Sequence, residues 1–457
     1  CWFDSRAMPF AQWGYPHQNK ERFADQFPAD FISEAIDQTR GWFYSLLAIS
    51  TMLKEDIEKE TGVKYKYPIP FKRCVVLGHM LGEDGKKMSK RLKNYSEPTE
   101  IFDTLGADAL RWYLLSGQAP WNSIRFSKVS IQEAQREFLI RLHNVYSFFV
   151  IYANIDGFDP SQVKEPRERS LLDRWIIGEL HQTIAKVTDR LDAFENTTAA
   201  AFISDFVDAL SNWYVRRSRD RFWASGLTED KKAAFFTLYE SLGALSKLLA
   251  PFTPFFADAI YQNLVRSVDS SAPESVHLED WPKADPKLID QKLATEMGLV
   301  REIVSVGRAA RTKAKIKVRQ PLSRVEVLLA DHRLDHVVEQ YQDLIAEELN
   351  VHQAEVAARA EDYVSFTIKP DLKKLGPRLG KNLPAVKQAL SQADPLVLRT
   401  SLIEKGSCAV DIPGEAISLS TDDVLVEIAA KPGYSAADSS RAVVVLAAQV
   451  LLAPAVL

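Results

Sequence analysis

Lys86, Lys87, Lys90, Arg91 and Lys93 place five positive charges in eight consecutive positions, directly after the turn Gly82-Glu83-Asp84-Gly85. A flexible loop that concentrates charge in this way can close over a triphosphate. There it neutralises charge developing on the α-phosphate and on the departing pyrophosphate. On charge alone the segment also reads as a solvated basic hairpin. About fifty residues upstream, Glu34, Asp37, Gln38 and Trp42 gather at the carboxyl end of an expected strand, where open α/β sheets bind ligands. Carboxylates and an amide at such a place can hold ribose hydroxyls or an ammonium, and an indole offers a rigid apolar wall. The plainer reading is a helix cap at Asp37 followed by a core aromatic.

Two further stretches could touch nucleic acid. Trp213-Tyr214-Val215-Arg216-Arg217-Ser218-Arg219-Asp220-Arg221-Phe222-Trp223 interleaves rings and guanidinium groups, which suit unpaired bases and phosphates. The same arginines also suit a helix end, where the dipole favours cations. Arg308, Arg311, Lys313, Lys315, Lys317 and Arg319 read as charges along an extended segment, either a nucleic-acid contact or a solvated edge strand. His79 precedes the basic loop, and its strand position alone explains it.

The elements that must position these residues are legible as period changes. Residues 29–36 read as a buried strand that turns at Asp37 into an apolar helix over 41–53, and residues 71–80 read as a second strand. The Asp84-Gly85 pair suits a turn with positive φ. Glu97-Pro98-Thr99 opens a short helix that Gly106 ends, and 107–116 forms the next. Strands feeding helices point to half of a doubly wound nucleotide fold. From about residue 131 the period becomes helical, with Leu172, Ile176, Leu180, Ile184, Val187 and Leu191 on one face and Ile203, Phe206, Val207, Leu210 and Tyr214 on another. Thr253-Pro254 reads as a cap and first-turn proline. A linker around 282–286 leads to a helix ending near Arg308 and then to alternating segments. The expected organisation is multidomain: an α/β region over 1–130, an all-α bundle over 131–300 and a small α+β domain over 301–457.

Composition narrows the classes. With 46% hydrophobic and 26% charged residues the chain is of the globular type, and its longest apolar run, 441–457, is interrupted by Gln449 and Pro454 and too short for a bilayer. This run reads as a buried terminal segment. A net charge of -4 gives no global field for nucleic acid, so any RNA contact rests on local patches. Cys1, Cys74 and Cys408 stand far apart with no histidine at ligand spacing, which speaks against a zinc site and for a reducing, cytoplasmic setting. The opening on Cys1, inside an apolar phrase, reads as part of a longer protein.

Lys87-Met88-Ser89-Lys90-Arg91, lying before Asn94-Tyr95-Ser96-Glu97-Pro98, resembles the KMSK signature of the class I aminoacyl-tRNA synthetases. The phrase from Phe31 through Phe43 is similar to the adenylate-binding segment of their isoleucine branch, and the likeness continues through the bundle to Lys317-Val318-Arg319-Gln320-Pro321-Leu322. The resemblance implies catalytic roles for Lys87 and Lys90, and adenylate contacts from Glu34, Asp37, Gln38 and Lys90. It implies an amino-acid pocket shaped by Trp2 and Trp42, and an anticodon-binding bundle contacting tRNA through Arg216, Arg217, Trp213 and Trp223. ATP with Mg²⁺, L-isoleucine and tRNA(Ile) are the implied substrates of a monomeric enzyme that needs neither a protein-bound metal nor a membrane. The α/β region is then the second half of a Rossmann-type catalytic domain. None of the eight histidines stands in the His-x-Gly-His motif that the family also needs, so that motif and the family's editing insert are expected elsewhere in a longer protein, leaving this chain inactive alone. Arg91 in place of the commoner serine, without paired cysteines near the end, resembles the eukaryotic cytosolic branch. A valine or leucine ligase is the alternative within the class. An RNA-binding module with no ligase activity is the alternative outside it.

Overall fold

The computed structural model describes residues 2–457 except 63, 65–68, 90, 92–93, 96, 164–165, 167, 358, 360–361, 414 and 448–457. The apolar run expected to be buried at the end of the chain thus lies mostly outside the described residues. Two compact units are present, Cys1–Asp290 and Gln291–Leu457. The division falls after Asp290 rather than near residue 300, because the helix Gln291–Lys313 buries Leu293, Met297, Val300, Ile303 and Val304 within the second unit. The α/β region and the bundle, expected as separate domains, form one unit.

In the first unit β1 (Ala29–Ala35) and β2 (Phe71–Leu77) pair in parallel, from Ala29 opposite Phe71 to Ala35 opposite Leu77. Between them Ile36–Arg40 makes a 3-10 turn and Trp42–Met52 a helix, whose Phe43 and Leu46 pack on Ile32. β3 (Met80–Leu81) pairs in parallel with β4 (Ile124–Arg125). The chain reaches β3 through Gly78, where a Cβ would lie 2.3 Å from the Asn122 carbonyl oxygen, so only glycine allows that approach.

The bundle is built from Lys128–Asp156, Leu171–Asp192, Asn196–Asp208 with its π-helical extension Ala209–Val215, Glu229–Leu249 and Pro254–Tyr261. Of the periodic residues of the sequence, Ile176, Leu180, Ile184, Val187, Ile203, Phe206, Val207, Leu210 and Tyr214 are each 2% exposed or less, while Leu172 and Leu191 are half-buried. Ser170 and Asp173 form a capping box that starts the second of these helices. Lys128–Asp156 has the length and composition of a membrane span, while its Leu142, Val145 and Phe149 are buried.

One seam explains why α/β region and bundle cohere. Trp112, on the helix Ala107–Ser116, is 2% exposed, stacks on Phe138 at 3.6 Å and meets Phe252 edge-on at 6.0 Å. Arg111 donates to the Phe252 and Pro251 carbonyls at 3.1 and 2.7 Å. Asp108 accepts from the Phe256 N–H at 2.7 Å and so caps Pro254–Tyr261, the task expected of Thr253, whose side chain makes no cap bond. From the bundle, Asn196 and Thr197 donate to the Leu115 and Gln118 carbonyls, each at 2.8 Å.

In the second unit β5 (Leu322–Leu329), β6 (Val351–Val356), β11 (Tyr434–Asp438) and β12 (Ala442–Ala447) form a sheet of order β11-β12-β5-β6. β7 (Val364–Pro370) pairs antiparallel with β10 (Val424–Ala430), and β8 (Ser407–Ile412) with β9 (Glu415–Ser420). The basic stretch expected to be extended is helical through Lys313, and two of its cations serve structure. Arg311, 1% exposed, donates to the carbonyls of Leu349, Lys317, Gln320 and Asn350 at 2.9 to 3.0 Å. Arg308 pairs with buried Glu348 at 2.6 Å. Lys313, Lys315, Lys317 and Arg319 remain exposed. We predict that Arg311→Met, which strands those carbonyls, lowers the stability of this unit by about 3 kcal/mol in denaturant unfolding. Stability equal to that of the parent chain would contradict the clamp.

Candidate functional site

Because β1 and β2 run in the same direction with Ala35 opposite Leu77, both leave the sheet at one end. The corner residues begin there, and the basic turn follows β3, which pairs with β4 in a separate sheet. Glu34 and Asp37 are exposed and Gln38 is half-buried. Gln38 is already engaged: its Oε1 accepts from the Trp42 N–H at 2.9 Å, and its Nε2 donates to Asp37 Oδ2 at 3.4 Å. The start of the helix Trp42–Met52 is therefore held by Gln38 rather than capped by Asp37. A Cβ on Gly41 would lie 2.6 Å from Gln38 Oε1, so the glycine of this phrase is what lets the amide reach the helix. Half-buried Trp42 donates from Nε1 to the Ser5 carbonyl at 3.1 Å, which ties the helix Trp2–Arg6 to the corner. The Trp2 side chain lies outside the described residues.

The basic turn is a stitched hairpin. Leu81 and Lys87 bridge antiparallel, the Gly82 N–H donates to the Lys86 carbonyl at 2.8 Å, and Gly85 takes φ +76°. Asp84 Oδ1 accepts from the Lys86 N–H at 3.0 Å and from Asn94 Nδ2 at 3.1 Å. Those two bonds, the backbone one foremost, hold the Asp84 carboxyl below its ordinary pKa. Asn94 also accepts from the Ser89 N–H at 3.0 Å and reaches the Lys87 carbonyl at 3.4 Å, so one amide grips both arms of the turn. A Cβ on Gly82 would meet the Asn94 carbonyl oxygen at 2.2 Å. Lys86, Lys87 and Arg91 are exposed, with no ion pair among the described residues. Lys90 and Lys93 lie outside the described residues. His79 is half-buried, and its backbone carbonyl accepts from the Ile124 N–H at 3.1 Å. Asn94 escaped notice as a working residue in the sequence. Its signal was the pairing of an Asn with an Asp across a Gly-rich turn, where such side chains bond nearby backbone.

The aromatic and arginine phrase of the bundle divides. Trp213 is 5% exposed and belongs to the core, which corrects its expected role in stacking on bases: its ring has no open face. Trp223, 55% exposed, keeps one. Arg216 and Arg217 are half-buried, and Arg216 Nε donates to the Asn212 carbonyl at 2.8 Å. Arg221 makes two bonds to fully buried Asp173, at 2.9 and 2.8 Å, and a further pair to Asp230. The Tyr214 hydroxyl donates to the same Asp173 at 2.6 Å. Burial pushes the Asp173 carboxyl up, but Arg221, Tyr214 and Ser170 together outweigh it and leave its pKa below the ordinary value.

Two predictions follow from these networks. Asn94→Ala speeds exchange of the Ser89 amide about fivefold, the effect of losing a net hydrogen bond of about 1 kcal/mol. Unchanged exchange would show that the turn is held otherwise. Asp173→Ala destabilises the first unit by about 3 to 5 kcal/mol, since it removes one partner of a buried ion pair. A carboxyl depressed in the folded state stabilises above its unfolded pKa and loses that contribution as pH falls through the folded value. The parent chain therefore weakens on acidification below about pH 4. The variant weakens less steeply over that range, and parallel pH profiles would contradict the assignment.

Comparison with known proteins agrees with this geometry. Residues 1–127 match the model for tRNA synthetases class I (I, L, M and V), and residues 173–327 match that for the anticodon-binding domain of tRNA ligase. The isoleucine–tRNA ligase of Clostridium novyi (strain NT) is 45% identical over 448 residues, 98% of this chain and 42% of that protein. The isoleucine–tRNA ligase of Thermobifida fusca (strain YX) is 45% identical over 97% of this chain and 41% of its own length. Isoleucine–tRNA ligase 2 of Bacillus anthracis is 44% identical with the same coverage, 97% and 41%. The chain thus spans about two fifths of the length of these curated relatives, which are bacterial where Arg91 had suggested a likeness to the eukaryotic branch. A solved structure, the ternary complex of Agrobacterium radiobacter K84 agnB2 LeuRS with tRNA and LeuAMS, is similar at TM-score 0.49 and 22% identity over 63% of this chain and 33% of that one. With a synthetase region carrying the basic hairpin, an anticodon-binding region behind it, and relatives of one name along nearly all its length, the chain belongs to the class I aminoacyl-tRNA synthetases, on the isoleucine–tRNA ligase branch.

Proposed function

We propose that the protein containing this chain activates isoleucine with ATP and transfers it to tRNA(Ile) in the cytoplasm. The observation that supports this reading is the shared carboxyl end of β1 and β2, where the acidic corner lies and from which the chain runs through β3 to the exposed lysines of the hairpin. The isoleucine carboxylate attacks the α-phosphorus of ATP, the bond to the leaving pyrophosphate breaks, and the adenylate forms. Lys87, with Lys90, neutralises the charge that builds on the α-phosphate and on pyrophosphate. Mg²⁺ enters as the counter-ion of ATP, part of the substrate. Asp37, held by Gln38, and Glu34 accept from ribose hydroxyls or from the substrate ammonium. Gln38 acts chiefly as a positioning residue, its oxygen being committed to the helix. Trp42, fixed through Ser5, forms one wall of the amino-acid pocket and Trp2 a second.

Contact with tRNA falls to the exposed parts of the bundle phrase, Trp223 with Arg216 and Arg217, whereas Trp213 stays within the core. The apolar surface around the corner favours completion of the site by more protein. Phe31, Ile36, Tyr44 and Leu47 are exposed beside a parallel pair of strands, and parallel sheets are ordinarily covered on both faces. The 457-residue chain, without a His-x-Gly-His motif, is then a salt-sensitive tRNA binder that makes no adenylate alone.

In the complete protein, Lys87→Ala lowers isoleucine-dependent ATP–pyrophosphate exchange about 10²-fold or more, the scale of a lost transition-state charge. Exchange at the parent rate would remove Lys87 from that role. Exchange driven by valine or leucine in preference to isoleucine would overturn the substrate.

A further inference from the structure

Among the described residues, the edge of β7 that faces away from β10 has no strand paired to it. The Asp371 N–H donates to the Asp423 carbonyl at 2.8 Å and the Lys431 N–H to the Tyr363 carbonyl at 2.9 Å. In this antiparallel register the bonded positions alternate, so Ser365, Thr367 and Lys369 turn their backbone groups to β10 while Phe366 and Ile368 turn theirs outward. Among the described residues no backbone group meets Phe366 or Ile368 on that side. Folded proteins usually cover or blunt such an edge.

A groove of about 590 Å³ runs along it, lined by Phe366, Ile368, Pro370, Leu372, Lys387 and Leu390 among others. The Phe366 and Ile368 side chains are buried and form its floor, and the Arg399 guanidinium sits 4.7 Å over the Phe366 ring. The helix Leu383–Gln392 makes the opposite wall, with Lys387, Leu390 and Ser391 at helical spacing. Lys369 and Lys387 are exposed on the rim; Lys369 pairs with Glu427 at 2.6 Å, and Lys387 has no ion pair among the described residues. From Lys369 to Lys405 stand eight basic and three acidic residues, in a chain whose net charge is -4; Lys369, Lys374 and Arg378 are paired with Glu427, Asp422 and Asp423, and Lys387 on the groove is not paired among the described residues.

We propose that this edge binds an extended, acidic peptide of a partner protein by strand addition. Its backbone pairs with Phe366 and Ile368, alternate apolar side chains enter the groove, and a carboxylate meets Lys387. A row of backbone donors and acceptors over an apolar floor fits a strand. It suits RNA poorly, because the ring in the floor is covered by Arg399 and offers no base a stacking face. The proposal is independent of the ligase reading.

The test uses the 457-residue chain and three fluorescent probes: the heptapeptide Asp-Val-Glu-Val-Asp-Val-Glu, the same peptide with proline for each valine, and a single-stranded oligouridylate. Anisotropy reports binding, and amide exchange is read at Phe366 and Ile368. The heptapeptide is expected to bind and to slow both amides about tenfold or more, while the proline version, which lacks the N–H groups, does not. Lys387→Glu weakens binding about fivefold, and Ser391→Trp, at an exposed position on the groove wall, blocks it. No saturable heptapeptide binding up to about 1 mM would overturn the proposal. So would binding that leaves the two amides unprotected, equal binding of the proline peptide, or protection by the oligouridylate instead.

Discussion

The parallel register of β1 and β2 is the constraint on which the candidate site depends. Side chains alternate across a strand, and parallel strands share one carboxyl end, so this pairing sets Ala35 of the acidic corner opposite Leu77, from which the chain runs through β3 into the basic hairpin. A slip of one residue would turn every side chain of β1 to the other face and carry Glu34 away from the corner. Local devices then hold what the register brings together. Gln38 fastens the helix start, Asn94 and Asp84 fasten the hairpin, and three glycines, 41, 78 and 82, allow approaches that any Cβ would obstruct. The result is a fixed frame with exposed cations at its tip.

The seam at Ala107–Ser116 extends that frame into the bundle. Trp112 lies between Phe138 and Phe252, Asp108 caps a bundle helix, and Asn196 and Thr197 return hydrogen bonds to the end of the same helix. Burial raises the pKa of Asp108, and the bonds from the Phe256 and Phe255 N–H groups oppose that shift. A cap donated from another element couples two elements more tightly than one supplied by the helix's own first residue, because the helix end is satisfied only while the seam is closed. On the reading proposed, a tRNA held by the bundle and a nucleotide held at the corner bear on one continuous body.

Much of this was legible in the sequence because it rests on periodicity and turn chemistry. The strand at 29–35, expected to be buried though only its Ile32 is, the helices at 98–105 and 107–116, and the buried faces of the bundle follow from apolar spacing and from Gly106 and Gly85, which both take positive φ. What escaped was side-chain partnership across distance. Arginine in a basic run signals a surface, yet Arg311 is buried because four carbonyls from separate segments converge on it. Trp213 and Trp223 are equivalent in composition and opposite in exposure, since helical phase decides which faces the core. Thr253 before a proline has the look of a cap, but Asp108 arrives from far along the chain and takes the position. Sequence spacing carries the near bonds and is silent on the far ones.

The central claim is that the hairpin and the corner act on one nucleotide. A double-mutant cycle in the complete protein tests it most directly, with Lys87→Ala and Asp37→Ala, singly and together, read by isoleucine-dependent ATP–pyrophosphate exchange. Residues serving a common transition state couple, so the account predicts an interaction energy of about 1 kcal/mol or more. Additive effects, within about 0.3 kcal/mol, would mean that the two elements work apart, and would contradict it.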